Sequence, residues 1–486
     1  MPGLSTTTSE QLAGPATAPT GRPRLLLLSY HFPPGQAPGA LRWEKLVRFA
    51  DERGIGADVL TVHPDDLPRS DASRLTTLPA GTRVFGTRVP LVTLERLEAL
   101  AYGAYRTLRP PRRTPPQAPA PSGSPAPSPP PAPPVVGSYG REEILGGRIR
   151  RGRLGDIRAG FYAQLEADKD LAWARAATAT GLQVLERGVH RIVVSCGPPH
   201  MPHVAASELA VRQGIPHVMD LRDPWRLQQR LPNAIASTRW FALATRWEER
   251  CVARAALVVT NTAPFALGMQ ALYPGQRDRI LPVMNGYDEE AVPAVERDPR
   301  FLIAYAGSIY LDRDPRPLFR AGARVIREEG LTPAQIGFSF IGNTERYGGV
   351  PVRQIAAQEG IGEFVETGPT LPRSEAMAFL ARATLLVSLP QDSDLAIPSK
   401  VFEYLNFEAW VLALATPESA TGAALAGTSA DLAPPDDEAA MAEVLRRRWR
   451  EFAAGGRPGK PTGTARLARR AQATTLFDAL APYFRT

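Results

Sequence analysis

Cysteine is nearly missing from this 486-residue chain, which holds only Cys196 and Cys251. Two cysteines cannot build a disulfide framework, and their spacing fits no zinc site. The usage suits a reducing cytoplasm, and Cys196, ending the apolar run RIVVSC, reads as a small buried residue rather than a nucleophile. Lysine is scarce too, at 4 of the 57 basic residues, an arginine bias that is as much a compositional habit as a functional signal. Long apolar runs are absent. The block Leu25–Leu28 falls far short of the roughly 20 residues a membrane span needs. The N-terminal MPGLSTTTSEQLAGPATAPTGRP has no apolar core, so it is not a secretory signal, and residues 1–22 read as a disordered leader. The expectation is a cytoplasmic protein, at most peripheral at the inner face of a membrane.

Proline is present in excess, 49 residues, and residues 110–135 are so rich in it that they read as a disordered surface insertion that cannot bury a core. The formal charge of +8 favours anionic partners such as nucleotide phosphates or an acidic membrane surface. The run RIRRGRLGDIR, residues 148–158, reads either as a plain solvated face or as a contact with anionic phospholipid. No nucleic-acid-binding motif is present, and no nucleic acid is expected as a partner.

Strand and helix patterns alternate along the chain. RLLLLSY is a strand, ALRWEKLVRFADERG a helix with Leu41, Leu46, Val47 and Phe49 on its apolar side, and ADVLTVH a second strand, which together make a βαβ unit. LVTLERLEALAYGAYRTLRP reads as a further helix, as does Asp170–Arg187. HRIVVSCG, IPHVMDL, ALVVTN and RILPV follow as strands. Their continuous rather than alternating apolarity indicates a parallel sheet buried on both faces. After Asp288 the pattern restarts with FLIAYAG, IGFSFIG, FVETG, TLLVSLP and WVLALATP as strands. The expected fold class is therefore α/β, with two Rossmann-like doubly wound units facing a cleft. Residues 23–295 form the N-terminal unit and residues 296–460 the C-terminal one. Residues 461–486 are a last helix packing back towards the first unit.

Ligands of such sheets bind at the carboxyl ends of strands, and the free N–H groups of a helix N-terminus attract anions. The loops at those ends are PPGQAPG, GPPHMPH, RDPW, NGYD, GSIYLDRDPR and QDSDLAIPSK. PPGQAPGALR matches neither a dinucleotide fingerprint nor a P-loop, although Gly35 and Gly39 let backbone come close to a phosphate or sugar. Arg313 and Arg316 follow a strand end where a pyrophosphate would meet cations, or else form a solvated set with Asp312 and Asp314. In AIPSKVFEYL, Pro398 suits a first helical turn, Ser399 and Lys400 can take an anion, and Glu403 can accept hydrogen bonds from a ribose diol. The plain alternative is a Lys400–Glu403 pair on a helix surface.

These motifs in order, LLLSYHFPPGQAPGALRWEKL, SCGPPHMPH, DLRDPW, YAGSIYLDRDP and IPSKVFEYL, resemble those of GT-B glycosyltransferases of family 4, the retaining, nucleotide-sugar-dependent group. The resemblance runs from Arg24 to the last helix. It implies that Glu403 binds the donor ribose, and that Gly35, Gly39, Gly307, Arg313, Ser399 and Lys400 meet the donor phosphates and sugar. Arg222, Asp223 and His203 fall in the catalytic region, with Arg313 stabilising the leaving diphosphate. No metal and no other cofactor is implied. Leu395 stands where the family carries the first glutamate of its Glu-x7-Glu motif, and Ser308 where it carries an arginine. The implied partners are a UDP- or GDP-sugar donor and a glycan or lipid-linked acceptor in cell-surface polysaccharide synthesis. Two other readings stay open: a non-catalytic relative that scaffolds a biosynthetic complex, and a nucleotide-sugar epimerase.

Overall fold

The structure, a computed structural model, describes residues 9–17, 21–92, 138–149, 152–310, 313–390 and 393–485. The expected helix over LVTLERLEALAYGAYRTLRP lies almost wholly outside the described residues, and the proline-rich insertion entirely so.

Two sheets organise the chain. The first has eight strands: β1 (Ser9–Ala13), β2 (Arg24–Ser29), β3 (Gly56–Val62), β4 (Arg83–Thr87), β5 (His190–Gly197), β6 (His217–Leu221), β7 (Leu257–Thr260) and β8 (Ile280–Pro282). Their order is β1-β4-β3-β2-β5-β6-β7-β8, parallel throughout except that β1 pairs antiparallel with β4. The second has six parallel strands: β9 (Phe301–Ala306), β10 (Ile336–Ile341), β11 (Val365–Gly368), β12 (Leu385–Ser388), β13 (Trp410–Leu414) and β14 (Asp431–Ala433), in the order β11-β10-β9-β12-β13-β14. The main helices are α1 (Leu41–Glu52), α2 (Arg153–Val184), α3 (Met201–Gln213), α4 (Thr238–Arg254), α5 (Ala263–Leu272), α6 (Arg316–Glu329), α7 (Arg373–Ala381), α8 (Ser399–Tyr404), α9 (Glu438–Ala453) and α10 (Arg469–Phe484).

The unbroken leucine run of β2 follows from the two-residue period of a strand covered on both sides. Leu26 and Leu28 enter the core that holds Trp173 and Phe265, while Leu25 and Leu27 enter the one that holds Trp43 and Phe477. In the second sheet Leu385 and Val387 face one core and Leu386 the other. Ala473, Leu476, Phe477 and Leu480 recur at helical spacing on α10 and pack against the first sheet, not the second. The chain thus enters the second unit after β8 and returns before α10. The two crossings touch. Tyr287 N–H donates to the Leu467 carbonyl at 3.1 Å, and Arg469 N–H donates to the Tyr287 carbonyl at 2.7 Å. Gly286 has φ +69°, and a β-carbon there would lie 2.7 Å from Arg469 Cα, so only glycine lets the strands come this close.

Three sequence expectations change. Residues 9–13 of the expected disordered leader form β1 and cover the β4 edge, with the Glu10 carboxylate 3.1 Å from His63 Nε2. The helix expected over Asp170–Arg187 begins much earlier, at Arg153. Leu41, assigned to the buried face of α1, is exposed, whereas Arg42 and Glu44 are buried because each meets an ion partner, Asp220 and Arg74. Cys196 is buried as expected, and burial pushes its thiol up to about 12.

At the amino ends of the first sheet's strands, Asp58 is fully buried among Arg24, Arg83 and His190, with His190 Nε2 at 2.9 Å. Although burial opposes its ionisation, hydrogen bonds from Arg83, His190 and Arg24 outweigh it and hold the Asp58 carboxyl well below the usual range.

Candidate functional site

Both sheets reverse their strand order between the first parallel strand and the one that follows a long crossover: β2 beside β5, and β9 beside β12. Loops leaving neighbouring strands diverge at such a point and open a crevice at the carboxyl ends. In the first sheet these are the loops of HFPPGQAPG and GPPHMPH. In the second they are the loops of GSIYLDRDP and SDLAIPSK. The two crevices face one another across a cleft of about 350 Å³.

Gly39, Arg42, Arg222, Asp223 and Asn261 line the cleft from the first unit, and Arg313, Arg373, Ser399 and Glu403 from the second. Arg222 follows β6, donates to the Pro198 carbonyl, and its guanidinium lies directly against Gly39, where a β-carbon would not fit. The Asn261 Oδ1 acceptor is buried without a hydrogen-bond partner among the described residues. Arg313 donates to the Ser308 carbonyl at 3.2 Å and lies over the Tyr310 ring, 4.3 Å from its centroid.

Lys400 turns away from Glu403. Its Nζ sits 3.7 Å from the Tyr305 ring centroid and directly above Gly307, whose φ of +147° and lack of a β-carbon make the room. No described residue accepts a hydrogen bond from this amine. Burial, with Arg313 adding to it, lowers its pKa from 10.5 to about 6. Burial thus favours the neutral amine; its protonated form has no hydrogen-bonded counter-charge among the described residues, and an anion entering the loop after β9 would supply one. Glu403 instead pairs with Arg373 at 2.9 Å. Arg373 also holds Glu290 at 2.8 Å, and Glu290 is held by Lys45 of α1 at 3.1 Å. A chain of four alternating charges therefore runs from one wall of the cleft to the other, and the plain alternative of a local Lys400–Glu403 pair is not what forms.

Gly35 and His203 lie elsewhere. Gly35 is not in the cleft lining; it turns the loop after β2, its N–H donating to the Phe32 carbonyl at 2.9 Å and its carbonyl accepting from Arg74 at 2.5 Å. His203 is fully buried behind the cleft, its Nδ1 2.7 Å from Ser195 Oγ, which also meets His217 Nε2 at 2.8 Å. Burial lowers His203 well below the usual histidine range, and His200 and His217 to about 3, so all three are held neutral. The apolar helix face of α3 and the buried strand beside it, not the cleft, claim this imidazole. Arg316 is tied to Asp314 at 3.1 Å, while Asp312 lies outside the described residues.

Sequence reasoning missed several cleft residues. Arg42 makes a two-pronged pair with Asp220 at 2.8 and 3.0 Å, and Trp43 Nε1 donates to the same carboxylate at 2.7 Å. Arg469 reaches Asp288 at 2.7 Å from the returning strand. Arg373 and Glu290 close the charge chain. Each depends on a partner far away in sequence, a relation that local spacing does not carry. Leu395 packs against the core of the first unit, and its carbonyl accepts from Thr262 Oγ1 at 2.7 Å. The position is thus an inter-unit contact.

No protein-family model matches the chain. The D-inositol 3-phosphate glycosyltransferase 1 of Catenulispora acidiphila is 27% identical over 218 residues, 41% of this chain, and the chain spans about half the length of that curated relative. Among solved structures, sucrose-phosphate synthase of Thermosynechococcus elongatus superposes with a TM-score of 0.55 at 11% identity, over 95% of this chain and 99% of that one. Anabaena HepE in complex with UDP and glucose gives a TM-score of 0.52 at 11% identity, over 95% and 100%. The fold is of the GT-B type: two doubly wound units with a cleft between them.

Proposed function

We propose that the chain is a retaining glycosyltransferase that moves a sugar from a UDP- or GDP-sugar to a glycan or lipid-linked acceptor, in the building of a cell-surface polysaccharide. The observation that carries this reading is Lys400, a buried amine without a hydrogen-bond partner among the described residues, seated over Gly307 at the switch point of the second sheet. A diphosphate there would satisfy Lys400 and meet Arg313, and Glu403 on the next turn of α8 would face the ribose. Arg313 and Lys400 would offset charge on the leaving diphosphate without a bound metal. Arg222 and Asp223, across the cleft, would attend the acceptor and the transferred sugar. Structural likeness to Anabaena HepE, solved with UDP and glucose, adds support for a nucleotide-sugar donor.

A donor screen tests the reading: turnover of UDP- and GDP-sugars by the whole chain, with Lys400→Ala and Glu403→Ala as controls and EDTA present throughout. Turnover that both substitutions lower is expected. Absence of nucleotide binding at millimolar concentration would sink it. Nucleotide binding without turnover on any acceptor would favour the second reading, a non-catalytic relative, for which the engagement of Leu395 by the first unit is the supporting observation.

A further inference from the structure

We propose that Asn261 binds the transferred sugar, accepting a hydrogen bond from one of its hydroxyl or amide N–H groups. This role rests on the nucleotide-sugar donor proposed above and names the residue that meets the sugar. Asn261 follows β7 and is only 6% exposed, yet it lines the cleft. Its Oδ1 is buried and takes no hydrogen bond among the described residues. A carboxamide oxygen stripped of water without a partner is costly, and a ligand that brings a donor removes the cost. The chain around it is tied down on both sides. Thr262, the next residue, caps α5 by accepting from Phe265 N–H at 3.2 Å, and its hydroxyl donates to the Leu395 carbonyl at 2.7 Å. Gln229 Oε1 accepts from Asp394 N–H at 2.9 Å. The first unit therefore grips the loop that leads into α8, and Asn261 stands beside this seam.

The linear build of the donor decides which part of it arrives there. Base, ribose, diphosphate and sugar follow one another. With the ribose at Glu403 and the diphosphate at Ser399 and Lys400, the molecule runs towards the N-terminus of α8. The next cleft residues in that direction are Pro398 and Ile397, and beyond them lies the seam at Leu395. The sugar falls at this end. The side chains of Pro398, Ile397 and Leu395 carry no hydrogen-bonding group, and Asn261 supplies the acceptor that they cannot. A neutral amide oxygen selects for a donor at that point, so a sugar that is deoxygenated or O-methylated there would leave Oδ1 unpaired.

The test is titration calorimetry of the full chain with UDP, GDP, UDP-glucose, UDP-N-acetylglucosamine and GDP-mannose. Asn261→Leu should leave the Kd of the bare nucleotide within about twofold and weaken the tightest sugar nucleotide by about three- to tenfold, the loss of one neutral hydrogen bond. Its melting temperature should not fall, because an apolar group of like size replaces an unpaired acceptor. Asn261→Asp keeps an oxygen at the same point, so the ratio of the sugar nucleotide's Kd to that of the bare nucleotide should stay near the wild-type value. Equal weakening of nucleotide and sugar nucleotide by Asn261→Leu would put the residue on the nucleotide and overturn the proposal. So would no change in either, since a buried water would then be what satisfies Oδ1. In both cases the nucleotide still binds, and the nucleotide-sugar reading stands. A wild-type chain that binds none of these ligands would overturn both.

Discussion

Glu403 is already occupied in this structure, and that sets up a test with an unusual sign. Arg373 holds its carboxylate at 2.9 Å, with side-chain exposures of 63% for the arginine and 33% for the glutamate. The pair engages Oε1 alone, so a ribose diol that takes both Glu403 oxygens competes with the guanidinium for that atom. An ion pair this exposed contributes at most about 1 kcal/mol, which is about fivefold in a dissociation constant. Arg373→Ala should therefore tighten UDP binding by about two- to fivefold, measured by titration calorimetry at low salt. Glu403→Ala should weaken it by about tenfold or more, the worth of a hydrogen bond to a charged acceptor. In the double substitution the gain from Arg373→Ala should vanish, because there is no longer a carboxylate to free. Raising the salt should also shrink the difference between wild type and Arg373→Ala, because the competing pair is screened. If Arg373→Ala weakened UDP binding, or if its gain survived in the Glu403→Ala background, the competition would be refuted and the guanidinium would have to touch the nucleotide itself.

Three further outcomes follow from buried charge and packing. Lys400 has a folded pKa of about 6 against 10.5 for an unperturbed lysine. The unfolded chain therefore holds that proton more tightly, and stability climbs with pH between the two values. Lys400→Met should raise the melting temperature at pH 7 and flatten this dependence while weakening UDP binding; UDP binding to the wild type should take up a proton, seen as an enthalpy that varies with the buffer. Leu395→Glu, which restores the residue of the resembled motif, should lower stability by about 2 kcal/mol in urea titrations, because it sets a carboxylate against an apolar core; unchanged stability would mean that the loop does not dock there. Asp58→Asn should cost about 3–5 kcal/mol by leaving two buried arginines short of a counter-charge. Since the Asp58 carboxyl is depressed, its contribution is present above its unfolded value, about 4, and fades as acid titrates it, so the substitution should also flatten the acid limb of the stability profile.

The fold was legible because its signals are local. The leucine run of β2 and the apolar runs of β5, β6, β9 and β12 announce strands buried on both faces. Loops rich in glycine and proline mark the ends of several of them. The leader misled because SEQLA has little apolarity; its pairing depends on the β4 edge, some seventy residues on. Long-range partners also explain the misplacement of Leu41, since the burial of Arg42 is decided by Asp220 on β6. At the site, Ser399, Lys400, Glu403 and Arg313 could be picked out because their loops sit at strand ends. His203 could not be told apart from a cleft residue, because one helical turn separates the loop GPPHMPH from the buried face of α3. Arg373 left no mark at all in its own stretch, LPRSEAM.

The paired crossings between the units have a mechanical consequence. A single tether lets two bodies swivel freely, whereas two strands running side by side and hydrogen-bonded at Tyr287 and Leu467 behave like a strip of leather: easy to fold along one line and hard to wring. Opening of the cleft should therefore follow one bending axis through Gly286 and Ala468. By the same topology the second unit is an insertion within the first, so one protease cut between Asp288 and Phe301 would leave both halves still joined through the returning strand. Such a nicked chain should migrate as one particle under native conditions and as two fragments in denaturant.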